Sequence, residues 1–309
     1  MAQALTSLSV GSNLPAVEIR RSSVGPPFFF LHGDYKSGGF YSLNLSRFLN
    51  GDESFYALPP QHTEVSTFPR TFEAMSTAHI EALQRLRQAG PYFLGGLCNG
   101  GHVAFEMARS LEARGHEVGL LVIVRATAKN IRHVGMWRAL KSLGTLSARN
   151  GEWQREWFQR WRWFVDNLEK RPDHERPTFV LEQIRRLADR WNAIPARSSN
   201  SDLVPAQVAR QKTAGTQAHT IADFDAPYRY LEDTFVPRKY PGRITLFWPE
   251  DDEEKPEDAA SSWSKVAREV ELHVVPGDHI TCITKYSPVL ARELQTCLTK
   301  ARLGLNGGN

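Results

Sequence analysis

The most reactive arrangement in the sequence is Gly96-Leu97-Cys98-Asn99-Gly100, with Gly101 next. An apolar run, PYFLGG (91–96), leads into it, and a helical pattern, CNGGHVAFEMARSLEARG (98–115), leads out. A strand that turns at once into a helix, with a nucleophile between two glycines, is the G-x-S-x-G elbow with Cys in the place of Ser. The turn is strained, and side chains at 96 and 100 would strike neighbouring backbone, so small residues are required there. The bend also holds the sulfur at the positive end of the following helix, where thiolate is favoured. Such a thiol performs acyl transfer: attack on a carbonyl, a covalent intermediate, and resolution by a second nucleophile.

That chemistry needs a base and an oxyanion site. In elbow folds the base follows the last strand, and VVPGDHIT (274–281) ends an apolar strand in Gly277-Asp278-His279, so His279 is the expected base. His32, His79, His102 and His116 lack that placement and read as packing or surface residues. Two loops could supply an acid. The first, after strand 118–124, offers Arg125-Ala126-Thr127 and no carboxylate. The second, after strand 243–248, offers Trp248-Pro249-Glu250-Asp251-Asp252, which resembles the W-G-E-D-D end of many hydrolase strands. Asp252 is the favoured acid and Asp251 the second choice, with a solvated charge run as the competing reading. A thiolate–imidazole pair also functions with a weak or absent third member, because Cys ionises more readily than Ser. The oxyanion amides are expected from Asn99, just after the nucleophile, and from Asp34, in the loop Leu31-His32-Gly33-Asp34.

The elements that must position these groups alternate. PFFFLHGD (27–34), SFYALPP (54–60), PYFLGG and EVGLLVIVRA (117–126) read as strands. Helical patterns at 40–49, 71–90 and 98–115 separate them. Strands joined by helices of this length give right-handed crossovers and a parallel sheet, the α/β class. From about 128 to 237 the rhythm stops. Five of the eight tryptophans (Trp137, Trp153, Trp157, Trp161, Trp163) fall within 27 residues of this segment, interleaved with Arg, and read as a core-facing helical stripe or as a ligand-contacting cap. Sheet rhythm returns with GRITLFWPEDDEEKP (242–256), a helix near 258–268, EVELHVVPGDH (269–279) and a last helix near 287–302. The expected organisation is a flexible 1–14, a core of 15–127 and 238–302, a helical lid insertion at 128–237, and a flexible tail at 303–309.

Composition narrows the class of partner. No apolar run approaches a membrane span, and three scattered cysteines (Cys98, Cys282, Cys297) cannot form a disulfide framework, so a soluble cytoplasmic protein is expected. The net charge is +4, but residues 128 to 232 hold 18 Lys and Arg against 12 Asp and Glu, while the rest hold 20 against 22. The inserted segment therefore carries the whole excess and favours anionic partners. Nucleic acid is the weaker choice, since no zinc spacing, recognition helix or Lys/Arg tract accompanies the charge.

PPFFFLHGDYKSGGFYSLNLSRFL, AGPYFLGGLCNGGHVAFEMARSLEARGHEVGLLVIV and RITLFWPEDD with VVPGDHITCI together resemble the thioesterase domain family of nonribosomal peptide and polyketide synthases. The resemblance covers roughly residues 15–130 and 240–300 and implies an α/β-hydrolase fold. It also implies a substrate carried on the phosphopantetheine arm of an acyl- or peptidyl-carrier protein, with no cofactor or metal of the chain's own. Such a partner suits a basic insertion. Two features depart from the family: Arg125 stands about where many members place their Asp, and Cys98 replaces the usual Ser. Attack by Ser turns a thioester into a less reactive oxoester, whereas attack by Cys makes another activated thioester. Transfer to an amine or hydroxyl, or cyclisation, is then at least as plausible as hydrolysis. With no carrier-domain sequence before residue 15, the chain is expected to be free-standing or an excised terminal domain. The alternatives are a Cys-dependent hydrolase of small esters or lactones, as in the dienelactone hydrolases, and a non-catalytic acyl-carrier-binding protein that kept the fold.

Overall fold

The computed structural model describes residues 16–22, 25–31, 33, 40–51, 53–59, 68–87, 89–128, 130–146, 151–192, 228, 231–232 and 234–306. By backbone packing the chain forms two units, one of Met1–Val134 with His219–Asn309 and one of Gly135–Ala218.

The first unit is built on one sheet. Its strands are β1 (Val17–Arg20), β2 (Phe28–Leu31), β3 (Phe55–Leu58), β4 (Tyr92–Leu97), β5 (Val118–Val124), β6 (Tyr240–Pro249) and β7 (Ala267–Val275), in the spatial order β1-β3-β2-β4-β5-β6-β7. Among the described residues only β1, which the alternation of apolar runs does not reveal, pairs antiparallel, and the other pairings are parallel. The helices of this unit are α1 (Phe40–Phe48), α2 (Phe72–Leu86), α3 (Asn99–Ala113), α7 (Pro256–Ser264) and α8 (Ser287–Asn306). Thr71 starts α2 by accepting the Ala74 amide at 3.1 Å, which satisfies one of the first-turn donors. The last helix runs to Asn306, so 303–306 are helical rather than a flexible tail; residues 1–14 and 307–309 lie outside the described residues.

Strand alternation splits the core into two layers. Phe29, Leu31, Leu94, Ile123 and Leu246 face one layer, with α2, α3 and α7. Phe28, Phe30, Phe93, Val122 and Phe247 face the other, with α1 and α8. Both faces are covered, so the central strands β2, β4 and β5 carry no charged residue, as buried parallel strands require. Phe28, Phe29 and Phe30 have no exposed surface, and each contributes about 1.5–3 kcal/mol by its burial. The ends of the expected insertion also belong here: Ala128, Tyr228, Leu231 and Phe235 pack into the first layer.

The second unit carries α4 (Val134–Leu146), α5 (Gly151–Glu169) and α6 (Arg176–Asn192), the first residue of α4 belonging to the sheet unit. Trp137 meets Phe158 edge-to-face at 5.0 Å, Phe164 stacks on Phe179 at 5.7 Å, and the Arg171 guanidinium lies 4.6 Å over Phe179. A cavity of about 800 Å³ is lined by Met136, Leu140, Trp157, Trp161, Phe164 and Ile184, among others. Trp157 is 40% exposed and Trp163 51%, while Trp137 and Trp161 are half-buried, so the described tryptophans divide between packing and surface.

Candidate active site

Four neighbouring parallel strands end beside one another. Just past their carboxyl ends lie Cys98 after β4, Arg125 after β5, Asp252 after β6 and His279 after β7. Ligands of open α/β sheets bind outside this edge, so the topology assembles the expected groups without a long loop.

Cys98 has φ 52° and ψ −121°, a positive-φ turn conformation outside the left-handed helical region that residues other than Gly rarely adopt. Its amide donates to Val124 O at 2.9 Å and its carbonyl accepts from Gly101 N at 2.9 Å, which holds the strain between sheet and helix. A Cβ on Gly96 would overlap the backbone of Gly100, and one on Gly100 would stand 2.9 Å from Gly33 N. A Cβ on Gly33 would collide with Leu97 O, so Gly33 rests backbone-on-backbone against the elbow. The Asn99 amide opens α3, where it is one of the first-turn donors with no partner inside the helix. Asp34, expected to give the other oxyanion amide, lies outside the described residues, as does His32.

His279 is held by a short, fully bonded turn. Asp278 Oδ1 accepts from Ile280 N at 2.9 Å and Thr281 N at 2.8 Å, and Asp278 N donates to Thr281 Oγ1 at 2.8 Å. Gly277, at φ 92°, supplies the bend that aims the turn. The amides of Glu250 and Asp251 donate to Val275 O and Gly277 O at 2.9 and 3.0 Å, so the two loops run side by side. Burial holds the His279 imidazole below its ordinary pKa. The Arg125 guanidinium adds to that, against the carboxylates of Asp252, Glu232 and Asp278. No hydrogen bond or ion pair between described residues joins His279 to Cys98 or to Asp252.

Asp252 is instead gripped by Arg125. Nε donates to Oδ2 at 2.7 Å and a terminal nitrogen to Oδ1 at 3.1 Å, a bidentate pair around a nearly buried carboxylate. Burial pushes the Asp252 carboxyl up, and the bonds from Arg125 outweigh it, leaving the group below the ordinary range. Arg125 itself has φ 48°, donates its amide to Phe247 O at 2.9 Å, and sits 5.9 Å from the Trp248 ring. Asp251 is exposed. Of the two expected acids, only Asp252 therefore turns inward. Its negative charge reaches His279 through space rather than through a hydrogen bond.

One further carboxylate, not marked by the elbow, base and acid motifs, approaches the turn. Glu232 Oε1 lies 4.0 Å from Cys98 Sγ. It falls inside the segment set aside as a variable insertion. The signal was available in Tyr228, Leu231 and Phe235, apolar positions at helical spacing just before the sheet resumes.

His79 and His102 are buried, as their reading as packing residues requires, and His102 Nε2 pairs with Thr127 O at 2.9 Å. His116 faces Gln84 at 3.3 Å.

A mostly parallel sheet with a strained turn between β4 and α3 and a histidine after its final strand has the architecture of an α/β-hydrolase. The chain belongs to the thioesterase domain family, whose model matches residues 37–298. It is an enzyme of the hydrolase and acyl-transfer class. Its sequence relatives include an atromentin synthetase of Tapinella panuoides, 30% identical over 111 residues, which are 36% of this chain and 12% of that protein. Chondramide synthase of Chondromyces crocatus is 34% identical over 110 residues, 35% of this chain and 3% of that protein. The chain thus matches only a small part of the length of these relatives. A four-domain nonribosomal peptide synthetase bound to AMP and glycine superposes with a TM-score of 0.57 at 19% identity, over 96% of this chain and 21% of that one. The NocB thioesterase domain, solved as a covalent complex with a fluorophosphonate nocardicin G analog, gives 0.54 at 19% identity, over 89% and 96%. At such identities the superpositions establish the fold alone. No helix among the described residues is long and apolar enough to cross a membrane.

Proposed function

We propose that this chain takes acyl or peptidyl groups from the phosphopantetheine thioester of a carrier protein onto Cys98. It then releases them to water or transfers them to an amine or hydroxyl, one within the same acyl chain included. The observation that carries this reading is the positive φ of Cys98 at the elbow, on the same sheet edge as His279. In this scheme His279 draws the thiol proton and Sγ attacks the thioester carbonyl. The amides of Asn99 and Asp34 hold the oxyanion, and the pantetheine thiol departs. Asp252 acts as an electrostatic partner of His279. The excess positive charge of residues 128 to 232 suits an acidic carrier protein and the phosphate of its arm. Similarity to peptide-synthetase relatives supports the substrate class.

The test is mass spectrometry after brief incubation with an acyl thioester. An acyl adduct on Cys98 that is missing in Cys98→Ala is expected; turnover without that adduct overturns the scheme. A non-catalytic carrier-binding role is favoured by one observation, the engagement of both Asp252 oxygens by Arg125. Carrier binding with neither adduct nor turnover would establish it.

A further inference from the structure

We infer that Glu232 is a further catalytic residue, the base that receives the acyl acceptor when the Cys98 acyl-enzyme is resolved. The inference rests on the acyl-enzyme reading above and adds to it a group that the elbow, base and acid pattern does not contain.

Placement is the first argument. Glu232 Oε1 lies 4.0 Å from Cys98 Sγ, so once sulfur carries an acyl group the carboxylate borders the space from which the carbonyl carbon is attacked. A general base must reach the proton-bearing atom at about 2.6–3.2 Å, directly or through one water, while that atom stands about 3–3.5 Å from the carbonyl carbon. A carboxylate at this distance from sulfur satisfies both conditions on one side of the acyl group.

Rigidity is the second. Asn130, itself at φ 60°, donates through Nδ2 to Phe235 O at 2.8 Å and to Glu232 O at 3.4 Å, tying this stretch down. Leu231, Thr234 and Phe235 are buried on either side of it. The Phe235 ring meets Phe72 edge-to-face at 5.2 Å and His102 at 4.8 Å. Glu232 is therefore presented by a core-anchored helical stretch, as a catalytic carboxylate has to be.

Division of labour is the third. Asp252 has both oxygens on Arg125 and is poorly placed to accept a proton, whereas Glu232 faces the nucleophile itself. The step balances as follows. The lone pair of an amine nitrogen, or of a water or hydroxyl oxygen, attacks the acyl carbon as its proton passes to Oε1. The tetrahedral oxyanion collapses and the carbon–sulfur bond breaks, leaving its electron pair on Sγ. The proton then crosses from Oε1 to Sγ, regenerating carboxylate and thiol.

The experiment is rapid-quench mass spectrometry of the full chain with octanoyl-pantetheine, in buffer alone and with n-butylamine. Glu232→Gln is expected to form the Cys98 adduct within about twofold of the parent rate and to lose it at least tenfold more slowly to both acceptors. Glu232→Asp is expected to recover part of the decay rate, which a merely structural role would not produce. Adduct decay at the parent rate in Glu232→Gln overturns the inference. Slowed formation with unchanged decay does so too, because the carboxylate would then serve the thiol. Turnover by the parent without a Cys98 adduct defeats the acyl-enzyme reading first, and that failure shows in the unmutated protein.

Discussion

Arg125 and Asp252 face each other across the ends of β5 and β6, joined by two hydrogen bonds of 2.7 and 3.1 Å. A positive charge thus occupies the loop where a hydrolase of this type could carry its acid, and the acid one strand further out is bound to it. The same guanidinium acts on His279, where it adds to burial in disfavouring the charged imidazole. Burial and the guanidinium thus lower the basicity of the expected base, and the Asp252 carboxylate opposes them.

The pH profile of Cys98 acylation tests this. Neutral His279 is the competent form, and its pKa lies below the ordinary 6.5, so the acid limb should fall below pH 6.5 with a plateau at neutrality. Arg125→Gln removes the cation and releases the Asp252 charge; both raise the imidazole pKa, so the limb should move to higher pH. Asp252→Asn does the reverse and should move it lower. It should slow acylation about tenfold to a hundredfold, less than the loss of about 10⁴ where an Asp alone orients the His. Limbs that coincide in all three proteins would refute the electrostatic assignment.

The same pair should be visible in stability. An Asp whose folded pKa is depressed contributes stability above its ordinary pKa of 3.8 and loses it as pH falls through the depressed value. Arg125→Gln leaves that buried carboxylate without its partner and should cost about 1–3 kcal/mol at neutral pH, measured by urea unfolding. The deficit should shrink below pH 4. A constant difference between pH 3 and pH 7 would contradict it.

Thiol labelling separates the three cysteines. Burial pushes the Cys282 thiol up to about 12 and the Cys297 thiol up to about 11, so neither forms appreciable thiolate at pH 7.5. Cys98 is partly exposed at a helix N-terminus. Iodoacetamide in modest excess should add a single carbamidomethyl group, at Cys98, and acyl thioester added beforehand should protect it. Labelling at Cys282 or Cys297 first would count against this ranking.

Replacing sulfur by oxygen changes the intermediate rather than the geometry. Cys98→Ser would hold the acyl group as an oxoester, less prone to aminolysis than a thioester. With an amine present, the ratio of amide to free acid should fall relative to the parent. An unchanged ratio would remove the chemical reason for Cys at this position.

The tight turn at Cys98, the loop that carries His279 and the parallel sheet were legible in the sequence because each follows from local rules. Two glycines around a nucleophile imply a strained turn, Gly277-Asp278-His279 ends an apolar strand, and helices between strands impose parallel pairing. Strand β1 escaped notice because VEIR is short and only half-buried, at the edge of the sheet. Asp252 could be ranked above Asp251 by spacing, but its bond to Arg125 could not be foreseen, since the two lie 127 residues apart and meet only through adjacent strand ends. Glu232 is a clearer case. Nothing in a carboxylate's immediate neighbours announces that a clamp from Asn130 will bring it to Cys98, 134 residues away.

The seat of Gly33 on the Leu97 carbonyl and the Gly100 amide has a consequence for how this catalyst can diversify. Where main chain rests directly on main chain, there is no substituent for mutation to trim or enlarge, so the cradle beneath the sulfur is closed to gradual tuning. Variation at this site is then left to the side chains around the turn, such as those at positions 125, 232 and 252.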